Sequence, residues 1–376
     1  MIKEKKLEGV LLVMNLEDKK TRFLITLFLA FIGGVVFTFL HIPIPWLLGP
    51  MTAVLIGSRF RAIQAYWPVQ IRDAGLLILG YSIGLSFTKE AVIQIGVKLP
   101  LMLLLTVLLI AFCAGIAFFV SKLSGIDYPT ILVGSIPGGL SQMITFSEEV
   151  KGINITVVTF LQVTRVIMII FLVPFLIYGP FFKNASVPST LDLADKAVQA
   201  PLFPTILLFA AICVICAFIG KKLKSPTPFL LGPLLGTAIL TLSGLHGPDL
   251  PNFMLDLSQF MIGGYIGLLL KPEKLQHKTK ILTLAIISGL VMVLFSLALS
   301  TLLVHYYEIT PSTSILSLSP GGADQMAILA HDVRADLAMV TGFQLFRLLF
   351  IFFAVPPVLR LIFKRKRLNQ KEKPIR

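Results

Sequence analysis

The chain has 376 residues, 56% of them hydrophobic and only 14% charged, with a mean hydropathy of +0.89. Soluble domains carry about 25% charged residues, because polar groups must cover their surface; this composition therefore excludes a chain that folds in water and calls for a bilayer. The net charge of +14 could suit nucleic acid, but the basic residues sit in short loops and in Lys364–Arg365–Lys366–Arg367. That is the pattern of cytoplasmic loops, and no polar stretch is long enough for a DNA-binding domain.

In chain order, residues 1–20 mix Lys3, Glu4, Lys5 and Lys6 with the short apolar stretch Leu11–Leu12–Val13. The stretch is too short and interrupted for a secretory signal, so 1–20 reads as a cytoplasmic arm. Six apolar segments follow, at about 22–41, 44–58, 72–88, 99–121, 128–147 and 155–179. About 20 apolar residues in helix cross a 30 Å hydrocarbon layer; Leu99–Val120 holds no charge and Ile155–Tyr178 only one. Segment two begins Pro45–Trp46–Leu47–Leu48–Gly49–Pro50, which is expected to kink it. Asp73, ahead of segment three, reads as an N-cap. Segment five is broken near its middle by Pro137–Gly138–Gly139, and segment six carries Gln162 and Arg165. Residues 181–202 form a polar linker. A second set of six segments runs at about 203–220, 226–244, 253–270, 281–304, 311–330 and 337–363, and the chain ends in a basic cytoplasmic tail, 365–376.

The second set repeats the first. Pro45–Pro50 recurs as Pro228–Phe229–Leu230–Leu231–Gly232–Pro233, and Pro137–Gly138–Gly139 with Gln142–Met143 recurs as Pro320–Gly321–Gly322 with Gln325–Met326, both offset by 183 residues. Asp73, Gly80 and Gly84 recur as Asp256, Gly263 and Gly267. After a one-residue slip, Gln162, Arg165 and Pro174 recur as Gln344, Arg347 and Pro356. Five matches in order at one spacing mark a duplication, with copies at 21–180 and 203–364.

Loop charge suggests how the copies face. The first copy has no Lys or Arg in the loop 41–45 and has Arg59, Arg61 and Arg72 after segment two. The second has Lys221, Lys222 and Lys224 after segment one and none after segment two. Positive charge marks the cytoplasmic side, so the copies are expected to be inverted. Inversion needs an odd number of crossings, and the broken segment five is the one that need not cross. The expected fold is an all-α polytopic membrane protein of two inverted repeats, each with about five transmembrane helices and one Pro–Gly–Gly-broken re-entrant hairpin. Both termini are placed in the cytoplasm.

Inverted repeats with broken helices meeting at the midplane are the architecture of secondary transporters. The candidate substrate site is therefore the two hairpin tips: Ser135, Pro137, Gly138, Gly139, Ser141 and Gln142 in one copy, and Ser319, Pro320, Gly321, Gly322 and Gln325 in the other. Freed N–H groups at a half-helix start attract anions. Arg165 and Arg347, with Gln162 and Gln344 one turn earlier, lie deep in segment six, where a charge faces a cavity or a partner. Guanidinium suits an anionic fork; the competing reading ties each arginine to backbone carbonyls. Asp324, opposite Ser141, breaks the symmetry and is the candidate ion-coupling residue. Glu148, Glu149 and Asp332 fall at the hairpins' far ends.

Enzyme chemistry finds no support in the sequence. His41, His246, His277, His305 and His331 form no ligand cluster, no phosphate loop or nucleophile elbow appears, and Cys213–x–x–Cys216 lies inside an apolar run. No enzyme activity, cofactor or metal is expected. The expected partners are the lipid bilayer, a small anionic ligand and, as an open option, a second copy of the chain; direct nucleic-acid binding is not expected.

Pro–Trp–Leu–Leu–Gly–Pro–Met at 45–51, Ser–Ile–Pro–Gly–Gly–Leu–Ser–Gln–Met at 135–143 and Ser–Pro–Gly–Gly–Ala–Asp–Gln–Met at 319–326 resemble the membrane AbrB family, with its duplicated AbrB domain. The resemblance spans about residues 21–364. That family is separate from the small soluble DNA-binding AbrB regulators. Its members carry the labels transcriptional regulator or putative ammonia monooxygenase, and its layout is similar to the cation–proton antiporter and anion transporter group. The resemblance implies a multi-pass membrane protein with a regulatory label, and the residues themselves point to one of the plasma membrane that moves or senses a small anionic metabolite. The alternative it implies is a membrane-embedded regulator of gene expression acting through a partner, without transport.

Overall fold

A computed structural model of the chain describes residues 19–60, 64–150, 152–179, 203–269, 278–307 and 309–371, with backbone alone at 141, 203–204, 278 and 361–371. Among the described residues every regular element is a helix. In the first copy these are α1 (Lys19–Phe39), α2 (Pro45–Gly57), α3 (Val69–Leu85), α4 (Lys89–Ser124), α5 (Tyr128–Ser135), α6 (Leu140–Glu149) and α7 (Ile155–Tyr178). In the second they are α8 (Phe203–Lys222), α9 (Pro228–Leu242), α10 (Asn252–Gly267), α11 (Lys278–Tyr307), α12 (Pro311–Leu318), α13 (Ala323–Asp332) and α14 (Leu337–Lys371). Each expected segment is a helix, and segment five of each copy is a pair of short ones. Among the described residues six helices (α1, α4, α7, α8, α11 and α14) are long and apolar enough to cross a membrane. The protein is an all-α polytopic membrane protein. Helices α2 and α9, at 13 and 15 residues, reach only about 20–22 Å at 1.5 Å per residue. Most of the arm 1–20, the linker 181–202, the basic loop around Lys271 and Lys274, and the end of the tail lie outside the described residues.

Several boundaries differ from the sequence reading for local reasons. Asp73 and Asp256 are not N-caps. Helix α3 starts at Val69, directly after Pro68, and α10 starts after its N-cap Pro251. Proline presets the helical entry four residues earlier than the acids. Asp73 instead takes Arg72 as partner at 2.6 Å. Pro45 and Pro228 open α2 and α9 rather than kinking them; Pro50 and Pro233 are the prolines inside. Helix α4 begins ten residues before the expected apolar run, because Thr88 caps it by accepting from the Ala91 N–H.

The chain forms two compact units that cut across the duplication: α1–α3 with α8–α10, and α4–α7 with α11–α14. In the first unit the copies interlock reciprocally. A Cβ on Gly80 would lie 2.6 Å from the Leu230 carbonyl oxygen, and on Gly263 2.5 Å from that of Leu47. Those are equivalent pairs exchanged between the copies. Such i-to-j and j-to-i contacts are the signature of a two-fold relation. Backbone meets backbone at these points, so only glycine fits. Trp67 Nε1 donates to Met261 O at 3.1 Å and Tyr81 Oη to Pro248 O at 2.6 Å.

In the second unit, the equivalent residues Phe112 on α4 and Phe295 on α11 stack at 3.8 Å. Met102 and Leu105, from the first half of α4, share an apolar cluster with Leu299 and Leu303, from the last third of α11. That is the pattern an antiparallel pair makes.

Each broken segment folds back on itself. The Asn154 N–H donates to Thr130 Oγ1 at 3.0 Å, which holds the start of α5 at the start of α7. From the end of α6 at Glu149, five residues (150–154) return the chain to that point; fully extended they reach at most about 18 Å. A straight helix from Thr130 to Glu149 would run about 28 Å, so α5 and α6 must form a hairpin. The same argument holds for α12 and α13, pinned by the Asp336 N–H on Thr313 Oγ1 at 3.1 Å.

Candidate functional site

The hairpin tips follow from the Pro–Gly–Gly sequences. Proline supplies no N–H, so α5 stops at Ser135, and the Gly138 N–H turns back to Ile136 O at 2.8 Å. Gly139 and Gly322 then serve as N-caps of α6 and α13, at φ of −63° and −78°. Neither angle requires glycine; crowding requires it at Gly138, Gly321 and Gly322, and not at Gly139. A Cβ on Gly138 would meet Met143 Cε at 2.7 Å and Ile351 Cγ2 at 3.0 Å, and one on Gly321 would meet Met326 Cε at 2.8 Å and Ile169 Cγ2 at 3.3 Å.

The two arginines close the other side of each break. Arg165 is 5% exposed. Its Nη1 donates to Ser135 O at 2.9 Å and its Nη2 to Gln162 Oε1 at 2.7 Å. Gln162 Nε2 in turn donates to Val133 O and Ile136 O at 3.0 and 2.9 Å. The second copy repeats the clamp. Arg347 Nη1 donates to Ser319 O and Nη2 to Gly321 O, both at 3.0 Å, and Nη2 also to Gln344 Oε1. Gln344 Nε2 donates to Leu316 O at 2.6 Å and Ser319 O at 3.1 Å. A helix C-terminus carries partial negative charge and unsatisfied carbonyls, so a planar five-donor cation is a fitting cap. In the structure the guanidinium forks hold backbone carbonyls.

The two tips pack against adjacent turns of the same helices. On α14, Arg347 holds Gly321, while Ile351, four residues on, touches Gly138 and accepts from Gln142 Nε2 at 3.3 Å. On α7, Arg165 holds Ser135 and Ile169, four residues on, touches Gly321. Residues four apart share a helix face at about 5–6 Å, so both breaks lie at one level of the unit. Cys113 on α4 is fully buried.

Of the remaining expected residues, Asp324 lies in the first turn of α13, half-buried, and accepts from Gln325 Nε2 at 2.7 Å. Ser135 and Ser319 are buried, and their carbonyls rather than their hydroxyls serve the clamps. The side chain of Ser141 lies outside the described residues. Pro137 and Pro320 sit within the breaks. Glu149 pairs with Arg360, and its counterpart Asp332 accepts from Tyr178 Oη at 2.5 Å, at the hairpins' outer ends. The carbonyls of Val133, Ile136 and Leu316 and that of Ile351 belong to the site and carry no sequence signal of their own. The Gln–x–x–Arg spacing repeated in segment six was the available pointer. Among the described residues no group of three or more His, Cys, Asp or Glu stands ready for a metal.

Buried polar atoms at the tips remain without partners: Arg165 Nε, Gln142 Oε1 and Gln325 Oε1, with the hydroxyls of Thr164 and Ser317 nearby in sequence. Buried groups of this kind are normally satisfied, and leaving one unmade costs about 1–3 kcal/mol.

The duplicated hairpins and their arginine clamps lie within a stretch shared with known proteins. At 27% identity the chain is similar to "Uncharacterized protein YhjN" of Bacillus subtilis (strain 168), over 88% of this chain and 90% of the relative. At 27% identity it is also similar to "Putative regulator AbrB" of Escherichia coli (strain K12), over 89% of this chain and 94% of the relative. No solved structure matches. Residues 46–363 match the family described as "Transition state regulatory protein AbrB", a span that takes in both hairpins, both clamps and both interlocked glycine pairs, and the chain belongs to that AbrB family.

Proposed function

We propose that this protein is a secondary transporter of the plasma membrane that moves a small anionic metabolite through a site at the two hairpin tips. One observation carries the reading: two duplicated, folded-back helix breaks lie at one level of one unit, each presenting a half-helix N-terminus. Such termini attract anions, and non-helical backbone at membrane depth is tolerated where it lines a polar cavity. The reading places the tips at the midplane, makes each segment five a re-entrant hairpin and counts the other five segments of each copy as crossings. The opposed loop charges and the antiparallel contacts of α4 and α11 support inverted copies with both termini cytoplasmic. Asp324 is the ion-coupling residue of this reading. Glycines, Gln142 and Gln325 line the substrate, while Gln162, Arg165, Gln344 and Arg347 position the breaks.

The reading includes no enzyme activity, cofactor or direct nucleic-acid contact. A regulator acting through a partner would need an output surface, and no observation on the described residues favours one; the word "regulator" belongs to the name of the Escherichia coli relative. The test is uptake by purified protein in liposomes, with a panel of radiolabelled small carboxylates under imposed proton or sodium gradients. Gradient-driven accumulation of at least one carboxylate is expected, and uptake by Asp324→Asn that continues but no longer follows the gradient would assign the coupling. Passive vesicles for the whole panel, together with specific DNA capture by the same preparation, would overturn the transporter reading.

A further inference from the structure

The unpartnered polar atoms at the tips are of both kinds. Gln325 is 7% exposed, its Nε2 donates to Asp324, and its Oε1 receives no hydrogen bond. That oxygen lies over the start of the ten-residue helix α13. A Cβ on the N-cap Gly322 would collide with it and would stand 2.6 Å from Asp324 Oδ1. Two oxygens, one on a carboxylate, thus flank the space that glycine leaves open. In the first copy Gln142 Oε1 is likewise buried without a donor, and the acid is replaced by Ser141. On the donor side stand Arg165 Nε and the first N–H groups of α6 and α13, which have no intrahelical partner.

No single charge satisfies this set. A simple anion suits the half-helix N-termini but meets the Asp324 carboxylate and gives nothing to Gln325 Oε1. A bare cation suits those oxygens but meets the positive ends of two half-helices. A molecule carrying both an ammonium and a carboxylate answers both. We propose that the hairpin tips recognise a zwitterion of the α-amino acid type. Its ammonium is received by Gln325 Oε1 and Asp324 Oδ1 over Gly322. Its carboxylate is received at the acid-free tip, by the N-terminal N–H groups of α6. The asymmetry between Ser141 and Asp324 then orients the ligand. This inference rests on the reading that the tips form the substrate site; it keeps the carboxylate of that reading and adds an ammonium that balances its charge.

The test is thermal unfolding of the full chain in lipid nanodiscs. The titrants are the twenty proteinogenic L-amino acids, the carboxylic acids that lack their ammonium, and the amines that lack their carboxylate, each in sodium and in choline buffer. At least one amino acid should raise Tm by several degrees, while its deaminated acid and decarboxylated amine do not at the same concentration. Asp324→Asn and Gln325→Leu should each weaken that amino acid at least tenfold. The wild-type comparison needs no variant, so a variant that misfolds leaves the test intact. Deaminated acids that bind as tightly as their amino acids overturn the inference and leave the anion transporter standing. Sodium alone raising Tm in the wild type but not in Asp324→Asn, with amino acids adding nothing, gives the oxygens to an ion and overturns it as well. Silence across all three sets also overturns it, and the liposome uptake of carboxylates then judges the transporter reading separately.

Discussion

Arg347 shows how a buried charge is held by acceptors that carry no formal charge. Its donors go to Ser319 O, Gly321 O and Gln344 Oε1, so the positive charge faces the negative end of α12 rather than lipid. A lysine keeps the charge but has no planar fork to span three acceptors. Arg347→Met should lower unfolding stability by at least about 1.5–3 kcal/mol, the scale of one hydrogen bond to a charged group, and Arg347→Lys by less. Denaturant titration in detergent checks this; a methionine variant as stable as the wild type would mean that the carbonyls find other donors. The glycines make a sharper residue-scale test. The nearest atom to a Cβ on Gly139 is Leu348 Cδ1 at 3.7 Å, an ordinary contact, whereas on Gly322 it runs into Gln325 Oε1. Gly139→Ala should therefore leave Tm within about a degree of the wild type. Gly322→Ala should displace Gln325 and abolish uptake while the protein remains folded. Equal behaviour of the two alanines, in Tm and uptake together, would contradict the assigned crowding.

At the scale of elements, the hairpins are held by single hydroxyls at their bases. Thr130 receives the Asn154 N–H and Thr313 the Asp336 N–H. Thr130→Val keeps the shape and removes the acceptor, for a loss of about 0.5–1.5 kcal/mol. Hydrogen exchange should quicken over 128–149 and remain unchanged over 311–332; the reverse variant Thr313→Val should exchange the two outcomes. The existence of these breaks was legible in the sequence, because Pro–Gly–Gly interrupts an apolar run at matching places. The folding-back was legible only as an option, since it depends on which residues lie beside Asn154 and Asp336. The role of the arginines was left between two readings because their acceptors are main-chain carbonyls, which every residue type carries alike. Asp73 and Asp256 misled the helix starts because Pro68 and Pro251 set the entry first, a competition between two N-terminal signals of which the stiffer one won.

At the scale of the whole chain, the duplication and the compact units divide the sequence differently. Gly80 packs on Leu230 and Gly263 on Leu47, so neither copy completes its first unit alone; no pattern within one copy could have announced that. The expected orientation of the copies rests on loop charge. The loop 41–45 and the loop 245–251 hold no Lys or Arg, while 221–225 holds Lys221, Lys222 and Lys224. Basic loops stay cytoplasmic, and equivalent positions 41–45 and 221–225 carry opposite signals. Single cysteines introduced in 221–225 should therefore react with a membrane-impermeant maleimide only when the cytoplasmic face is open. Those at 41–45 and 245–251 should react only from outside, in a background in which Cys113, Cys213 and Cys216 are replaced. A two-fold axis in the membrane plane requires that opposition, whereas an axis along the membrane normal would put 41–45 and 221–225 on one face. Labelling of both loops from the same side would leave the reciprocal glycine contacts intact, yet would make the copies parallel and remove the inverted-repeat basis of the transport proposal.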